Sequence, residues 1–250
     1  MIPFAPLPAV RHRVAVIAHR GGCALAPEGT LAAFENAIRL GVDFIEVDVH
    51  PTRDGRIVVS HDSTVDRTTD GSGKIADLDF AAIRALDAGS KFDARYAGER
   101  IPTLDEVLDL AGGRVNVYLD HKEGRVSDVL APFVRRGLTG RLVVYSGVRE
   151  LQEWKALTPG IPVMPSLPRD YRRKGGIGDF LKVLPAEVLD GNTPDYTAAL
   201  VQEAHAAGMK IYVDSLGGAD NAAGWQRAID LAVDGIQTDR PDALIAFLRA

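Results

Sequence analysis

The amino-acid sequence predicts an α/β fold, a single (β/α)8 TIM barrel with a small insertion. Short apolar runs alternate with helical patterns from one end of the chain to the other, which is typical of a parallel sheet covered by helices. The chain has 250 residues, an ordinary length for one such barrel. Eight apolar runs, one for each barrel strand, cover residues 14–18, 44–49, 115–119, 142–145, 161–164, 187–189, 211–213 and 235–237.

The clearest predicted helix lies between the first two runs. Thr30 is a good N-cap residue, and Leu31, Phe34 and Ile38 follow with the spacing of one apolar helical face. Gly41 stands where a glycine commonly ends a helix. The chain is therefore predicted to pass from the first strand through a helix into the second strand, which is the repeating unit of such a barrel.

Two more helices have recognisable starts. Thr103 is a suitable cap for a helix over 104–110. The last helix is predicted over 241–248, because it begins with a proline at a position where proline is favoured.

One extra apolar run, residues 57–59, does not fit the eightfold count. It follows Asp54-Gly55, the strongest signal for a two-residue hairpin turn in the chain. We therefore predict that residues 56–61 form a return strand over the mouth of the barrel rather than a ninth barrel strand. A two-residue turn would place Asp48 directly across from His61.

Residues 62–101 form a polar excursion that is too long for an ordinary barrel loop. Insertions of this kind usually cover the C-terminal face, where barrel active sites lie. We predict a short helix over 80–85 within it, and one domain over residues 1–250.

Composition excludes several classes of function. The net charge of −5 provides no basic surface for nucleic acid. The single cysteine, Cys23, excludes a disulfide framework and a cysteine-rich zinc site. No apolar stretch approaches the ~18–20 residues that cross a membrane, and the first eight residues hold three prolines and no basic segment of a signal peptide. We expect a cytoplasmic protein with no nucleic-acid partner and no stable membrane anchor.

Carboxylates collect where predicted strands end, at the rim that carries catalytic residues in these barrels. Glu46 and Asp48 are two positions apart on one strand and therefore point to the same side. Two carboxylates this close repel each other unless a cation or a shared proton lies between them. A hard divalent cation with oxygen ligands is the natural solution, and Asp120 at the end of the third run can add a third carboxylate.

Two histidines and two cations are expected at the same rim. His19 and Arg20 end the first strand, Lys122 follows the third, and the hairpin brings His61. Each has an ordinary structural explanation: strand-end or turn hydrogen bonding for the histidines, and counter-ions for the cations. Their convergence favours proton transfer on a phosphate-bearing ligand. His121 alternates away from this rim, and we predict a structural role for it.

The chain resembles the glycerophosphodiester phosphodiesterase family through many ordered motifs. They are IAHRGG, PEGT, AFENA, EVDV, TRDG, VVSHD and DRTTDGSG within residues 17–75, then IPTL at 101–104 and DGIQTDRP at 234–241. The resemblance implies a (β/α)8 barrel with a small insertion. It also implies hydrolysis of glycerophosphodiesters to glycerol 3-phosphate and an alcohol.

The resemblance also assigns roles to residues of this chain. It implies that His19 and His61 are the general acid and base. The metal ligands would be Glu46, Asp48 and Asp120, holding one divalent cation, Ca²⁺ or Mg²⁺. Arg20 and Lys122 would contact the substrate phosphate.

Three departures from the family pattern bear on the substrate. Asp120 stands where the family usually has a glutamate, and Gly29 where it commonly has an asparagine. In the predicted seventh strand, residues 214–217 lack the usual aromatic residue and asparagine. These departures leave open a lysophospholipase D or sphingomyelinase D-like activity on lipid phosphodiesters. A non-catalytic phosphodiester-binding barrel is a further alternative, although binding alone would not require two histidines.

Overall fold

Eight parallel strands surround a common axis in the computed structural model, which describes residues 4–249. The strands are β1 (Ala15–Ala18), β2 (Phe44–Pro51), β3 (Ile57–Val59), β4 (Asn116–His121), β5 (Leu142–Tyr145), β6 (Val163–Met164), β7 (Val188–Leu189), β8 (Lys210–Asp214) and β9 (Gly235–Thr238). The barrel strands run in the order β6-β5-β4-β2-β1-β9-β8-β7, and β3 pairs antiparallel with β2 outside this order.

Backbone hydrogen bonds join the two ends of this sheet. Glu187 N donates to Val163 O at 3.3 Å, and Asp190 N donates to Pro165 O at 3.0 Å. The strands therefore form a nearly closed barrel, and the predicted fold class is confirmed.

Apart from α2, which lies in the insertion, the helices follow the barrel strands and pack outside them. They are α1 (Leu31–Leu40), α2 (Phe80–Ala85), α3 (Leu104–Ala111), α4 (Val126–Arg136), α5 (Val148–Leu157), α6 (Gly176–Phe180), α7 (Ala198–Ala206), α8 (Ala222–Asp230) and α9 (Pro241–Arg249). As predicted, the Thr30 side chain caps α1, and Gly41 ends it with a φ of 84°. Thr103 and Glu106 form a capping box at the start of α3. Among the helices of residues 4–249, none has the length and apolar character to cross a membrane.

The polar side chains of the candidate site lie directly above the apolar interior of the barrel. Ile17, Phe44 and Tyr118 belong to the buried cluster inside the barrel. Side chains alternate along a strand, so residues two and four positions further on also face the axis. These next layers contain His19, Glu46, Asp48, Asp120 and Lys122. The polar site is therefore the layer above the apolar core.

The predicted register of the hairpin is wrong by one residue. The pairs are Val49 with Val59 and Pro51 with Ile57, and Ser60 N donates to Asp48 O at 3.1 Å. The turn has three residues rather than two, because Thr52 N bonds to Arg56 O at 2.8 Å. Its last residue, Gly55, has a φ of 80°, the arrangement of a three-residue hairpin loop. Asp48 therefore lies opposite Ser60, and His61 continues past the end of the strand.

The inserted segment has its own apolar core. Val65, Ile75 and Ile83 pack with Val58 of β3 and with Ile101 at the segment's end. Helix α2, predicted over 80–85, has those bounds. This packing holds the insertion against the hairpin and therefore beside the barrel mouth.

Candidate active site

Three carboxylates meet at the mouth on neighbouring strands. Glu46 and Asp48 lie on β2, and Asp120 of β4 pairs directly with Asp48. One oxygen from each side chain lies within 4.8 Å of the other two. Burial, followed by the charges of the other two carboxylates, raises the pKa of Glu46 well above its ordinary value. Burial and Asp48 raise the pKa of Asp120 to about 6.

This donor set fits a divalent cation. Lys122 Nζ lies 2.5 Å from Asp120 Oδ2 and 3.2 Å from Asp48 Oδ1. Arg20 Nε lies 3.7 Å from Asp48 Oδ2, so two cations stand against three carboxylates. Within residues 4–249, the buried Asp48 Oδ1 has no aligned hydrogen bond despite this ammonium contact. Three clustered carboxylate oxygens are the ligands that Mg²⁺ and Ca²⁺ prefer.

Arg20 places a donor beside the carboxylates through an uncommon backbone conformation. Its φ of 50° lies in the left-handed region, and its N–H donates to Glu46 Oε2 at 2.8 Å. The side chain bonds to Glu28 through Nη1 at 3.0 Å. The buried Nε has no hydrogen-bond partner in the described part of the chain. A buried donor of this kind beside a cavity suits an anionic ligand.

His19 is held by the opposite end of the chain. Its Nδ1 lies 2.6 Å from Asp239 Oδ1, and the Cys23 thiol donates to the same oxygen at 2.8 Å. Burial raises the pKa of Asp239, but the bonds from His19 and Cys23 outweigh it and bring this pKa below its ordinary value. The ionised carboxylate accepts a hydrogen bond from Nδ1–H of His19, and Nε2 of His19 remains the nitrogen available for proton transfer.

His61 is held in a similar way by the next residue. Its Nδ1 lies 2.8 Å from Asp62 Oδ1. Arg67 donates to Asp62 at 2.7 and 3.1 Å and to Glu28 at 2.7 and 2.8 Å. The Arg67 bond, with His61, holds the pKa of Asp62 well below its usual range. The insertion thus supplies the residue that connects the supports of His61 and Arg20.

All seven predicted site residues line one cavity of about 230 Å³. The structure therefore brings together every residue that the sequence analysis named for chemistry, and it leaves His121 outside. His121 accepts a hydrogen bond from Trp154 Nε1 at 3.0 Å, which agrees with its predicted structural role. The cavity is lined by His19, Arg20, Glu46, Asp48, His61, Asp120 and Lys122, with Tyr118, Tyr145, Asp190, Asp214, Leu216 and Gln237.

Sequence reasoning did not assign roles to the residues that support the two histidines. Asp239 stands one position beyond the last strand, a signal that could have linked it to His19 at the end of the neighbouring strand. Asp62 and Glu28 lie inside quoted motifs without a recognised partner. Arg67 also lies inside a quoted motif, DRTTDGSG, but its contacts with both carboxylates depend on how the insertion folds.

Comparison with known proteins agrees with this geometry. The profile of the glycerophosphoryl diester phosphodiesterase family matches residues 19–243. The glycerophosphodiester phosphodiesterase of Caldanaerobacter subterraneus is 35% identical over 247 residues, covering 94% of this chain and 97% of that protein. The Bacillus subtilis glycerophosphodiester phosphodiesterase is 30% identical over 253 residues, covering 92% of this chain and 85% of that one.

Solved structures share the whole barrel. The glycerophosphodiester phosphodiesterase of Agrobacterium tumefaciens superposes with a TM-score of 0.82 at 29% identity, covering 95% of this chain and 100% of that one. An Oleispira antarctica phosphodiesterase in complex with the product sn-glycerol-3-phosphate has a TM-score of 0.82 at 27% identity, with 94% and 97% covered. With the sequence match across most of the chain, these likenesses establish that this protein belongs to the glycerophosphoryl diester phosphodiesterase family.

Proposed function

We propose that this protein hydrolyses glycerophosphodiesters to glycerol 3-phosphate and an alcohol, with one divalent cation. The observation that carries the proposal is the pairing of each mouth histidine with a carboxylate, 2.6 Å for His19 and 2.8 Å for His61, beside a buried carboxylate triad. The product named in the Oleispira antarctica structure supports the same reaction.

Glu46, Asp48 and Asp120 would hold Ca²⁺ or Mg²⁺ at the bottom of the cavity. The bound ion would offset the negative charge that develops on the phosphoryl oxygens. Burial first, and then the repulsion among these carboxylates, raises the pKa values of Glu46 and Asp120. The bound ion would relieve that repulsion.

Arg20 and Lys122 would bind the phosphate from two sides. The Arg20 Nε is a buried donor with no hydrogen-bond partner among the described residues, and it lies 3.7 Å from Asp48 Oδ2. Lys122 carries a firmly held proton, because Asp48 and Asp120 outweigh burial and raise its pKa. Fixed positive charge of this kind, aimed at the reacting group, is usually the largest contribution to catalysis.

His19 and His61 would move the protons. One Nε2 accepts the proton of the attacking hydroxyl as its oxygen bonds to phosphorus, while the other gives its proton to the alcohol oxygen as that P–O bond breaks. Each transfer contributes roughly 10²–10⁴-fold. The attacking hydroxyl belongs to water or to the neighbouring carbon of the glycerol, and phosphorus NMR separates these routes by detecting a cyclic phosphate.

The test is release of glycerol 3-phosphate from glycerophosphocholine, glycerophosphoethanolamine and glycerophosphoinositol. We expect turnover with Ca²⁺ or Mg²⁺, none with chelator, and a loss of at least about 10²-fold in His19→Ala and His61→Ala. His205→Ala is the matched control, since His205 pairs with Asp234 outside the cavity at 2.7 Å. A folded, metal-binding protein that turns over none of these substrates would refute the proposal, and retention of intact diester would favour a binding barrel.

We further propose that the chain acts as one domain in the cytoplasm. One apolar core between the barrel and its helices draws on residues from Val14 to Ile245, which supports a single unit. Limited proteolysis and fractionation of the source cells test the two parts separately.

A further inference from the structure

Three side chains of different metal-binding chemistry meet beside the first strand. His19 follows β1, Cys23 lies four residues further on, and Asp239 follows β9. One atom of each, the imidazole Nδ1, the thiol Sγ and a carboxylate oxygen, lies within 4.8 Å of the other two. We call these residues the His–Cys–Asp cluster. His19 also lines the cavity at the mouth, whereas Cys23 and Asp239 stand outside its lining.

The donor atoms form a triangle of the size that one metal ion requires. His19 Nδ1 and Cys23 Sγ lie 2.6 and 2.8 Å from Asp239 Oδ1, and they lie 3.9 Å from each other. Tetrahedral Zn²⁺ bonds to sulfur at about 2.3 Å and to nitrogen and oxygen at about 2.0–2.2 Å, which separates neighbouring ligands by about 3.5 Å. An ion therefore fits when the two short hydrogen bonds open by roughly 1 Å or less.

The donor set selects a different ion from the carboxylate triad. Glu46, Asp48 and Asp120 offer only oxygen atoms, which suit Ca²⁺ and Mg²⁺. A thiolate and an imidazole suit Zn²⁺ and other transition metals. The two groups of ligands can therefore hold different ions at the same time.

The cluster is reachable from solvent. The side chains of His19 and Asp239 are 12% and 24% exposed, and Cys23 is half-buried. Burial, followed by the hydrogen bond to Asp239, raises the pKa of the Cys23 thiol well above its ordinary value. An entering metal ion would replace the thiol proton, which leaves for solvent, and water would complete the coordination as the fourth ligand.

We propose that the His–Cys–Asp cluster binds Zn²⁺, and that the bound ion inhibits the enzyme by taking His19 out of proton transfer. Zinc bonded to Nδ1 would move the ring proton to Nε2 and replace the hydrogen bond to Asp239. Nε2 would then carry a hydrogen and could not accept the proton of an attacking hydroxyl. A neutral, metal-bound imidazole is also a much weaker acid than an imidazolium. The inhibition rests on the proposed function, whereas the binding of zinc does not.

The first experiment measures binding without activity. Co²⁺ occupies tetrahedral zinc sites, and a thiolate ligand gives it a charge-transfer absorption in the near ultraviolet. Excess Mg²⁺ is present throughout, because it competes for the carboxylate triad but not for a thiolate. We expect the absorption to saturate at one Co²⁺ per chain and to disappear when Zn²⁺, which binds more tightly, is added. A titration without thiolate absorption overturns the proposal.

Substitutions then assign the ligands. Cys23→Ser should abolish the absorption and weaken Zn²⁺ binding by about tenfold or more, since even a supporting residue of a metal site contributes 10–100-fold. The matched control is His205→Ala, because His205 and Asp234 form a similar pair at 2.7 Å outside the cluster. It should leave the absorption and the zinc affinity unchanged. Thermal unfolding of each variant checks its fold, and the wild-type titration decides even when a variant does not fold.

The second experiment measures glycerophosphocholine turnover in excess Mg²⁺ as Zn²⁺ is added. We expect inhibition over the zinc concentrations that remove the cobalt absorption, and about tenfold or more zinc for the same fractional inhibition in Cys23→Ser. Equal sensitivity of Cys23→Ser and the wild type would place the inhibiting ion at the carboxylate triad and overturn the inhibitory role. If no diester is cleaved, the proposed function and the inhibition both fail, whereas the cobalt titration still decides whether the metal site exists.

Discussion

His19 and Asp239 are 220 positions apart, yet their side chains meet at 2.6 Å. Strand register explains the contact. Strand β1 pairs in parallel with β9, and Ala18 stands beside Thr238, so the next residue on each strand reaches the mouth at the same level. The Asp239 N–H donates to Asp220, which fixes the carboxylate in turn. Barrel closure thus creates a histidine–carboxylate pair from the first and last strands.

Asp239→Asn should lower kcat by about 10²-fold or more with a smaller change in KM, because replacing the carboxylate that orients a proton-transferring histidine costs up to about 10⁴-fold. Steady-state kinetics on glycerophosphocholine measure the split. Asp234→Asn is the matched control, since Asp234 bonds to His205 at 2.7 Å outside the site. Equal loss in both variants would mean that the effect is structural.

Arg67→Met should lower kcat by about tenfold or more. Arg67 is a positioning residue, because it holds Asp62 and Glu28, which in turn contact His61 and Arg20. Its removal should also shift the pH profile of kcat, as Asp62 loses the bond that most lowers its pKa. Arg95→Met, at another exposed arginine of the insertion, should leave kcat and the profile unchanged. An unchanged profile in Arg67→Met would contradict the positioning role.

Arg20→Lys should raise KM by about tenfold or more, because an ammonium lacks the planar guanidinium donors. Arg20 Nε is buried without a hydrogen-bond partner among the described residues and lies 3.7 Å from Asp48 Oδ2, so a lysine would leave that position without a donor. Arg53→Lys, at an exposed Arg–Asp79 pair, is the control. If the KM of Arg20→Lys stays within twofold of the wild-type value, Arg20 does not bind the substrate phosphate.

Glu46→Gln, Asp48→Asn and Asp120→Asn should each weaken binding of Ca²⁺ and Mg²⁺ by tenfold or more, as measured by isothermal titration calorimetry. Each removes one of three anionic oxygen ligands from the buried cluster. Asp214→Asn changes a mouth carboxylate outside the cluster and should alter metal affinity by less than about threefold. The reverse order would locate the cation near Asp214.

The unfolding free energy of the metal-free protein should depend on Asp120. Its pKa rises from 3.8 to about 6 on folding, so the folded state holds the proton more tightly. Stability from this group is therefore present below about pH 4 and is lost as pH rises through about 6. Between these pH values the unfolding free energy should fall by up to about 1.4 kcal/mol per pH unit because of Asp120, and Asp120→Asn should remove this contribution to the slope. Urea unfolding with chelator from pH 4 to 7 measures both slopes, and identical slopes would contradict the shift.

In the hairpin, local sequence patterns predicted the turn and the return strand but not the register of the pairing. Asp54-Gly55 correctly marks a turn, and 57–59 correctly marks a return strand. The register depends on Thr52 N bonding to Arg56 O, which lengthens the turn to three residues. Dipeptide preference does not distinguish these lengths, since glycine suits the left-handed position in both. His61 nevertheless reaches the mouth, because the core of the insertion holds the hairpin.

The sequence by itself determined the barrel, the starts of α1, α2, α3 and α9, and the seven residues that meet at the mouth. Those features arise from alternation along strands, capping residues and the strand-end rule, all of which act over a few positions. Only the tertiary structure decided the partners of His19 and His61 and the contacts of Arg67. These depend on which distant segments become neighbours when the barrel closes and the insertion packs. Local sequence patterns do not predict these contacts, because the segments that form them meet only in the folded chain.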